Sequence, residues 1–139
     1  MKILFMCVAN SARSQLAHGL AKDIFKDTAE VESAGSRPSK VNPLAIQSMK
    51  EIGIDISSHY SKSVEDLSSD FLNGLDYVIT LCAEEVCPMI ISKAKKIHWP
   101  MPDPAGRDEL SGEEKLKLFR VTREAIKGKL IAFKNEVVK

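Results

Sequence analysis

Cys7 and Arg13 lie six residues apart, between an apolar run and an amphipathic stretch, with Ser14 beside the arginine. A thiolate is a nucleophile, and a guanidinium is a permanent cation with a planar fork of donors. Between them Val8, Ala9, Asn10, Ser11 and Ala12 have short side chains, so the loop's backbone N–H groups can turn inward. With the positive end of a helix beginning near Ser14, such a loop cradles a tetrahedral oxyanion and holds the Cys7 sulfur beneath it. The same field favours thiolate over thiol. The plainer alternative is that Cys7 is one more buried residue at a strand end. Its position between a strand and a helix, with Ser next to the Arg, favours the chemical reading.

Two more thiols, Cys82 and Cys87, are separated by Ala-Glu-Glu-Val and followed by Pro88. In a helix or a flexible loop that gap brings two sulfurs within disulfide reach after modest backbone movement, as a redox dithiol requires. Zinc held by Cys82, Cys87, His98 and Cys7 is a competing account, but it takes Cys7 out of the anion loop and leaves Arg13 without a task. No metal is therefore expected; two unrelated buried cysteines are a third possibility. Asp103 sits between Pro102 and Pro104 in a turn with few conformations. A carboxyl group held over an anion site can protonate a leaving oxygen, or Asp-Pro can simply cap a turn. His18 falls among polar positions of the first helix, His59 in a connector and His98 before Trp99, and structural or surface roles are expected of all three.

The elements that must position these groups are legible in the pattern. Ile3 to Met6 is a continuous apolar run, as in a parallel strand covered on both faces. Ser14 to about Lys26 is an amphipathic helix with Leu16, Ala17, Leu20, Ala21, Ile24 and Phe25 on one side. Glu30 to Gly35 reads as a strand, and Ser36 to Val41 as a loop. Asn42-Pro43 caps and starts a helix that Gly53 ends, with Ala45, Met49 and Ile52 as its buried stripe. Ile54 to Ser61 is a connector with some strand character, and Ser63 with Asp66 forms a capping box for a short helix. Leu75 to Leu81 is a strong strand, and Ile97 to Trp99 a weaker one before the Pro-rich turn. Ser111 and Glu114 open a long C-terminal helix whose stripe is interrupted by Arg123.

Alternating strands and helices imply a single α/β domain over residues 1–139, a doubly wound parallel sheet of about four strands with helices on both faces. Ligands of such sheets sit outside the carboxyl ends of the strands, where Cys7, Cys82 and the Asp103 turn would all gather. The 139 residues carry a formal net charge of +1, which argues against nucleic-acid or membrane-surface affinity. Lys93, Lys95 and Lys96 read as a solvated rim. The N-terminal apolar run is too short for a secretory or membrane segment, so a cytoplasmic protein is expected. There three cysteines are catalytic, redox or metal-binding rather than a structural framework.

Taken together, Cys7-Val-Ala-Asn-Ser-Ala-Arg13-Ser14-Gln15, Glu32-Ser-Ala-Gly35, Thr80-Leu-Cys82 with Cys87-Pro88, and His98-Trp99 through Asp103-Pro104-Ala105 resemble the thioredoxin-coupled arsenate reductases. That family shares its fold with the low-molecular-weight protein tyrosine phosphatases. The resemblance implies that Cys7 attacks arsenate held by Val8 to Ser14 and Arg13, with Asp103 protonating the departing oxygen. It also implies that Ser14 hydrogen-bonds the thiolate and Asn10 keeps the loop's shape. Cys82 would then attack the arsenic adduct of Cys7, and Cys87 would resolve the Cys7–Cys82 disulfide, leaving Cys82–Cys87 for thioredoxin to reduce. No bound cofactor is implied; phosphate and sulfate would compete with arsenate, and the protein would act as a monomer. The best-known members space their resolving pair more widely. Some bind potassium beside the loop through an Asn, a Ser and a Glu; Asn10 and Ser33 fit, and His18 stands where the Glu would be.

Two other functions use the same residues. A tyrosine phosphatase needs Cys7, Arg13, Ser14 and Asp103, with a phosphocysteine released by water. Phosphatases of this fold generally have Pro where Gln15 stands and an aromatic after the Asp-Pro, whereas Ala105 and Gly106 follow here. A non-enzymatic oxyanion or redox sensor would use the loop to bind and a disulfide to signal.

Overall fold

The computed structural model describes residues 1–83 and 92–138. In chain order the elements are β1 (Lys2–Cys7), α1 (Arg13–Phe25), β2 (Glu30–Gly35), α2 (Pro43–Lys50), α3 (Ser69–Asn73), β3 (Tyr77–Thr80), β4 (Lys95–His98) and α4 (Gly112–Val137), with short 3-10 turns at Lys26–Thr28 and Val64–Asp66. The four strands form a parallel sheet in the order β2-β1-β3-β4. From β1 the chain winds outward to β2 and then crosses back to β3 on the other side. The sheet order therefore reverses at β1, and a crevice opens at its carboxyl end, where Cys7 lies.

The apolar run of β1 follows from burial on both faces. Ile3 and Phe5 face a core shared with α1 and α4, including Leu16, Leu20, Phe25, Phe119, Ile126 and Leu130. Leu4 and Met6 face a second core with Leu67, Phe71, Leu75 and Val78 around α3. The helices thus cover both faces of a four-stranded parallel sheet, as the alternation of elements implied. In the α4 stripe Arg123 is buried and functional in packing: its guanidinium donates to the Ser48 carbonyl at 2.6 Å and to Glu51 at 3.0 Å, tying α4 to α2.

Departures from the sequence expectation are local. Helix α3, capped by the Ser68 hydroxyl accepting from Phe71 N–H, is absent from the sequence reading because its five residues span little more than a turn. The connector 54–61 contains no strand. Strand β4 starts two residues earlier than expected and ends at His98; Lys95 and Lys96 lie exposed on it, a common protection for an edge strand. Among the described residues no helix is long and apolar enough to cross a membrane.

Candidate active site

The loop from Val8 to Ala12 is shaped from outside. Val8 carbonyl accepts from Arg37 N–H at 2.8 Å, Ala9 carbonyl from Ser39 N–H at 3.1 Å and Ser11 carbonyl from Asn42 N–H at 2.9 Å. The Asn10 carbonyl accepts from the Ser61 hydroxyl at 2.6 Å and from Gln15 Nε2 at 3.2 Å. In a trans peptide each N–H points opposite to the preceding carbonyl. The N–H groups of Ala9, Asn10, Ser11 and Ala12 are therefore directed away from these outer donors, into the concave side of the loop. Helix α1 begins at Arg13 with no side-chain cap, which leaves its first N–H groups and positive dipole end facing the same space. An anion of tetrahedral shape is what such a ring of donors fits.

Two residues make the bend possible. Asn10 has φ of 49°, in the left-handed region that Asn tolerates better than most residues. Gly35, paired in register with Cys7, admits the loop backbone: a Cβ there would lie 2.4 Å from Val8 O and 2.9 Å from Asn10 N.

Cys7 is a free, buried thiol whose sulfur lies 2.9 Å from Ser14 Oγ. The direction of that bond follows from its neighbours. Lys62 N–H must donate, so the Asn10 atom it meets at 3.1 Å is the carbonyl oxygen Oδ1. Asn10 Nδ2 therefore donates to Ser14 Oγ at 2.7 Å, and the Ser14 hydroxyl proton is left to point at the sulfur.

Arg13 is buried and crosses to the other strand ends. Its Nη1 donates to the Met101 carbonyl at 3.0 Å and reaches the Leu81 carbonyl at 3.4 Å, and its Nη2 lies 3.8 Å from Asp103 Oδ2. Asp103 is exposed, and its Oδ1 accepts from Ala105 N–H at 3.0 Å, so the turn fixes the carboxylate on the guanidinium side. Cys82 directly follows Leu81 and is fully buried. The fold thus collects Cys7, Arg13, Cys82 and Asp103 at one sheet edge. Cys87 lies outside the described residues.

Behind the loop, His18 and His59 stack with ring centroids 4.5 Å apart. His18 is buried rather than on a polar helix face, and its Nδ1 pairs with Ser33 Oγ at 2.8 Å. Burial first, then the charges of His59, Lys62 and Lys22, push its pKa from 6.5 down to about 2. Burial, then Lys22 and Lys62, lower His59 to about 4. Both rings are neutral at pH 7. The side-chain oxygens that the sequence offered to an alkali cation take part in hydrogen bonds within the protein. Asn10 Oδ1 already accepts from Lys62 N–H and Gln15 Nε2, Ser33 Oγ is engaged by His18, and the buried Lys62 side chain adds a positive charge nearby. Among the described residues no cluster of His, Cys, Asp or Glu could hold a metal ion; His98 Nδ1 is paired with Thr80 Oγ1 at 2.7 Å.

Sequence reasoning missed the outer shell: Gly35 as more than a strand terminus, and Gln15, His59, Ser61 and Lys62 as loop supports. No local pattern marks them. Most act through backbone groups or across more than forty residues, and only the Gly at the end of a strand beside an anion loop carried a usable signal.

The model of the low molecular weight phosphotyrosine protein phosphatase family matches residues 2–139. An arsenate reductase of Bacillus subtilis (strain 168) is 43% identical over 133 residues, covering 94% of this chain and 93% of that protein. One from Halalkalibacterium halodurans is 41% identical with the same coverage. A solved arsenate reductase in the phosphate binding state superposes with a TM-score of 0.76 at 31% identity, covering 98% of both chains. A low molecular weight protein tyrosine phosphatase from T. tengcongensis gives 0.75 at 24% identity over 99% of both, a likeness of fold.

Proposed function

The chain belongs to the low-molecular-weight phosphotyrosine protein phosphatase family, and from that footing, its arsenate reductase relatives and its loop geometry we infer that it reduces arsenate to arsenite. The reading is carried by one arrangement: an inward-facing donor loop around Cys7, with Cys82 buried beside the Arg13 contact. A phosphatase reading uses Cys7, Arg13 and Asp103 but gives Cys82 no task, and Ala105-Gly106 after the Asp-Pro offers no ring to pack on an aryl phosphate.

In this mechanism the loop N–H groups and Arg13 neutralise the arsenate dianion. The Cys7 thiolate forms a sulfur–arsenic bond as one arsenate oxygen leaves as water, with Asp103 supplying a proton. The Cys82 thiolate then attacks the Cys7 sulfur. The sulfur–arsenic bond breaks with its electron pair going to arsenic, so arsenic(V) becomes arsenic(III) and a Cys7–Cys82 disulfide forms. Cys87 attacks Cys82, freeing Cys7, and a thioredoxin dithiol reduces the resulting Cys82–Cys87 bond. The bound state needs no cofactor. The protein works in this scheme as a one-domain cytoplasmic monomer, with phosphate and sulfate as competing anions and no nucleic-acid or membrane partner.

The test is arsenite production with thioredoxin, thioredoxin reductase and NADPH, followed by thiol mapping of the spent enzyme. Many turnovers with a Cys82–Cys87 disulfide are expected. Phosphate release from an aryl phosphate without arsenite would transfer the protein to the phosphatases. Cys82→Ser should stop multiple turnover; full steady-state reduction by that variant would overturn the relay.

A further inference from the structure

The Arg13 guanidinium shares its charge with Asp103, whose Oδ2 lies 3.8 Å from Nη2. Together these two side chains carry no net formal charge, and the loop's N–H dipoles act only at contact range. A long-range pull on a dianion therefore has to come from other groups, and the segment after β2 holds two cations placed for it. Its N–H groups at Arg37, Ser39 and Asn42 donate to the carbonyls of Val8, Ala9 and Ser11 in turn, so residues 37–42 run beside the anion loop along its length. The segment leaves the sheet at Gly35, the register partner of Cys7, which puts it at the same carboxyl edge. Pro38, between the first two donors, restricts the backbone there. Residues 36–40 are all exposed, and no Asp or Glu occurs between Ser33 and Lys50. Among the described residues neither Arg37 nor Lys40 enters an ion pair, whereas Arg107, beyond the Asp103 turn, is paired with Glu109 at 2.6 Å.

We propose that Arg37 and Lys40 form an electrostatic collar that draws the oxyanion to the Cys7 loop, raising its local concentration without entering the chemical step. The proposal rests on the reading of that loop as the arsenate site and adds how the anion is captured. The backbone of the segment is tied to the loop, so the two charges stay beside it while their side chains remain in solvent. Two unit charges about 10 Å from an anion in water, weakened by screening at about 10 mM salt, enrich a monoanion about threefold. For a dianion the interaction doubles and the factor is squared, to about ninefold. In about 0.5 M salt the screening length falls well below that distance, and the enrichment shrinks to less than about 1.5-fold. A field of this kind reads charge and not identity, so arsenate and phosphate gain alike.

Alkylation of Cys7 tests the collar without arsenate. Iodoacetate carries a negative charge and iodoacetamide none, so the ratio of their rates reports the field at the sulfur. Trypsin releases Cys7 in the peptide 3–13, which separates it from Cys82 and Cys87. The double variant Arg37→Gln with Lys40→Gln removes both charges at exposed positions and keeps the backbone N–H that Val8 accepts from. In the reduced protein at about 10 mM salt and about pH 8, its iodoacetate-to-iodoacetamide ratio at Cys7 should fall about threefold. Inorganic phosphate, titrated calorimetrically under the same conditions, should bind about ninefold more weakly. Both differences should shrink to less than about 1.5-fold in about 0.5 M sodium chloride. Arg37→Lys should keep the parent ratio, and in arsenate turnover the double variant should raise KM more than it lowers kcat. An unchanged ratio would overturn the collar even if the protein reduces arsenate. Equal slowing with both reagents, or a loss that persists in high salt, would overturn it too, because the segment would then act through shape. A parent protein that reduces no arsenate but shows this salt-dependent pattern would sink the reductase reading and leave the collar intact.

Discussion

Adding one methyl group at Gly35 should disable the loop, and the same change at Gly128 should do the opposite. At Gly35 the new Cβ falls 2.4 Å from Val8 O, 2.9 Å from Asn10 N and 3.0 Å from Cys7 O. Carbon and oxygen in ordinary contact stay about 3.3 Å or more apart, so the Val8 carbonyl must retreat by about 1 Å. All three atoms are backbone, so no side-chain rotation relieves the clash. The Val8 carbonyl is also held by Arg37 N–H at 2.8 Å, and Gly35 N–H donates to Lys62 O at 2.9 Å, so movement strains both neighbours of the loop. Overpacking of this kind costs about 1–3 kcal/mol in stability. A displacement near 1 Å at a reacting group lowers turnover by about a hundredfold. At Gly128, mid-way along α4, nothing lies within 4 Å of the added Cβ, and helix propensity predicts a gain of about 0.5–1 kcal/mol. Thioredoxin-coupled arsenite production and urea unfolding on both variants give the comparison. Gly35→Ala turning over within twofold of the parent would refute the claim that this close approach sets the loop.

Three further outcomes are expected. Asp103→Asn keeps the turn's acceptor for Ala105 N–H but cannot give up a proton, so the rate of arsenate reduction should fall about 10²- to 10⁴-fold; undiminished single-turnover kinetics would assign the proton elsewhere. The histidine pair makes stability depend on pH. Both rings bind protons less readily when folded, at about 2 and about 4, than in the unfolded chain at 6.5. Stability from their neutrality is therefore complete above pH 6.5 and declines as pH falls toward 4, because the unfolded state takes up protons first. A urea midpoint that does not drop across that window, or drops equally in His59→Asn, would contradict this. Arg123→Met leaves the Ser48 carbonyl without its charged donor and should cost about 1–3 kcal/mol in urea unfolding, with turnover per folded molecule unchanged; an unaltered unfolding curve would show the tie between α2 and α4 to be dispensable.

The sequence by itself determined the sheet, the strand-to-helix position of the loop and the identity of its central groups. These are local properties. An apolar run buried on both faces, an Asn-Pro helix start and a Ser-to-Glu capping box each act within a few residues, so their pattern survives in one dimension. The reading failed where an element was too short to show a period, as in α3, and where an edge strand was masked by its protective lysines. Only the tertiary structure decided which way the loop's N–H groups face, because Arg37, Ser39, Asn42 and Ser61 approach its carbonyls from distant segments. It also revealed His18 and His59 as a buried neutral stack and Gly35 as the gap that admits the loop. Hydrogen-bond direction passes from one side chain to the next only after the fold has brought them together. No spacing along the chain encodes that order.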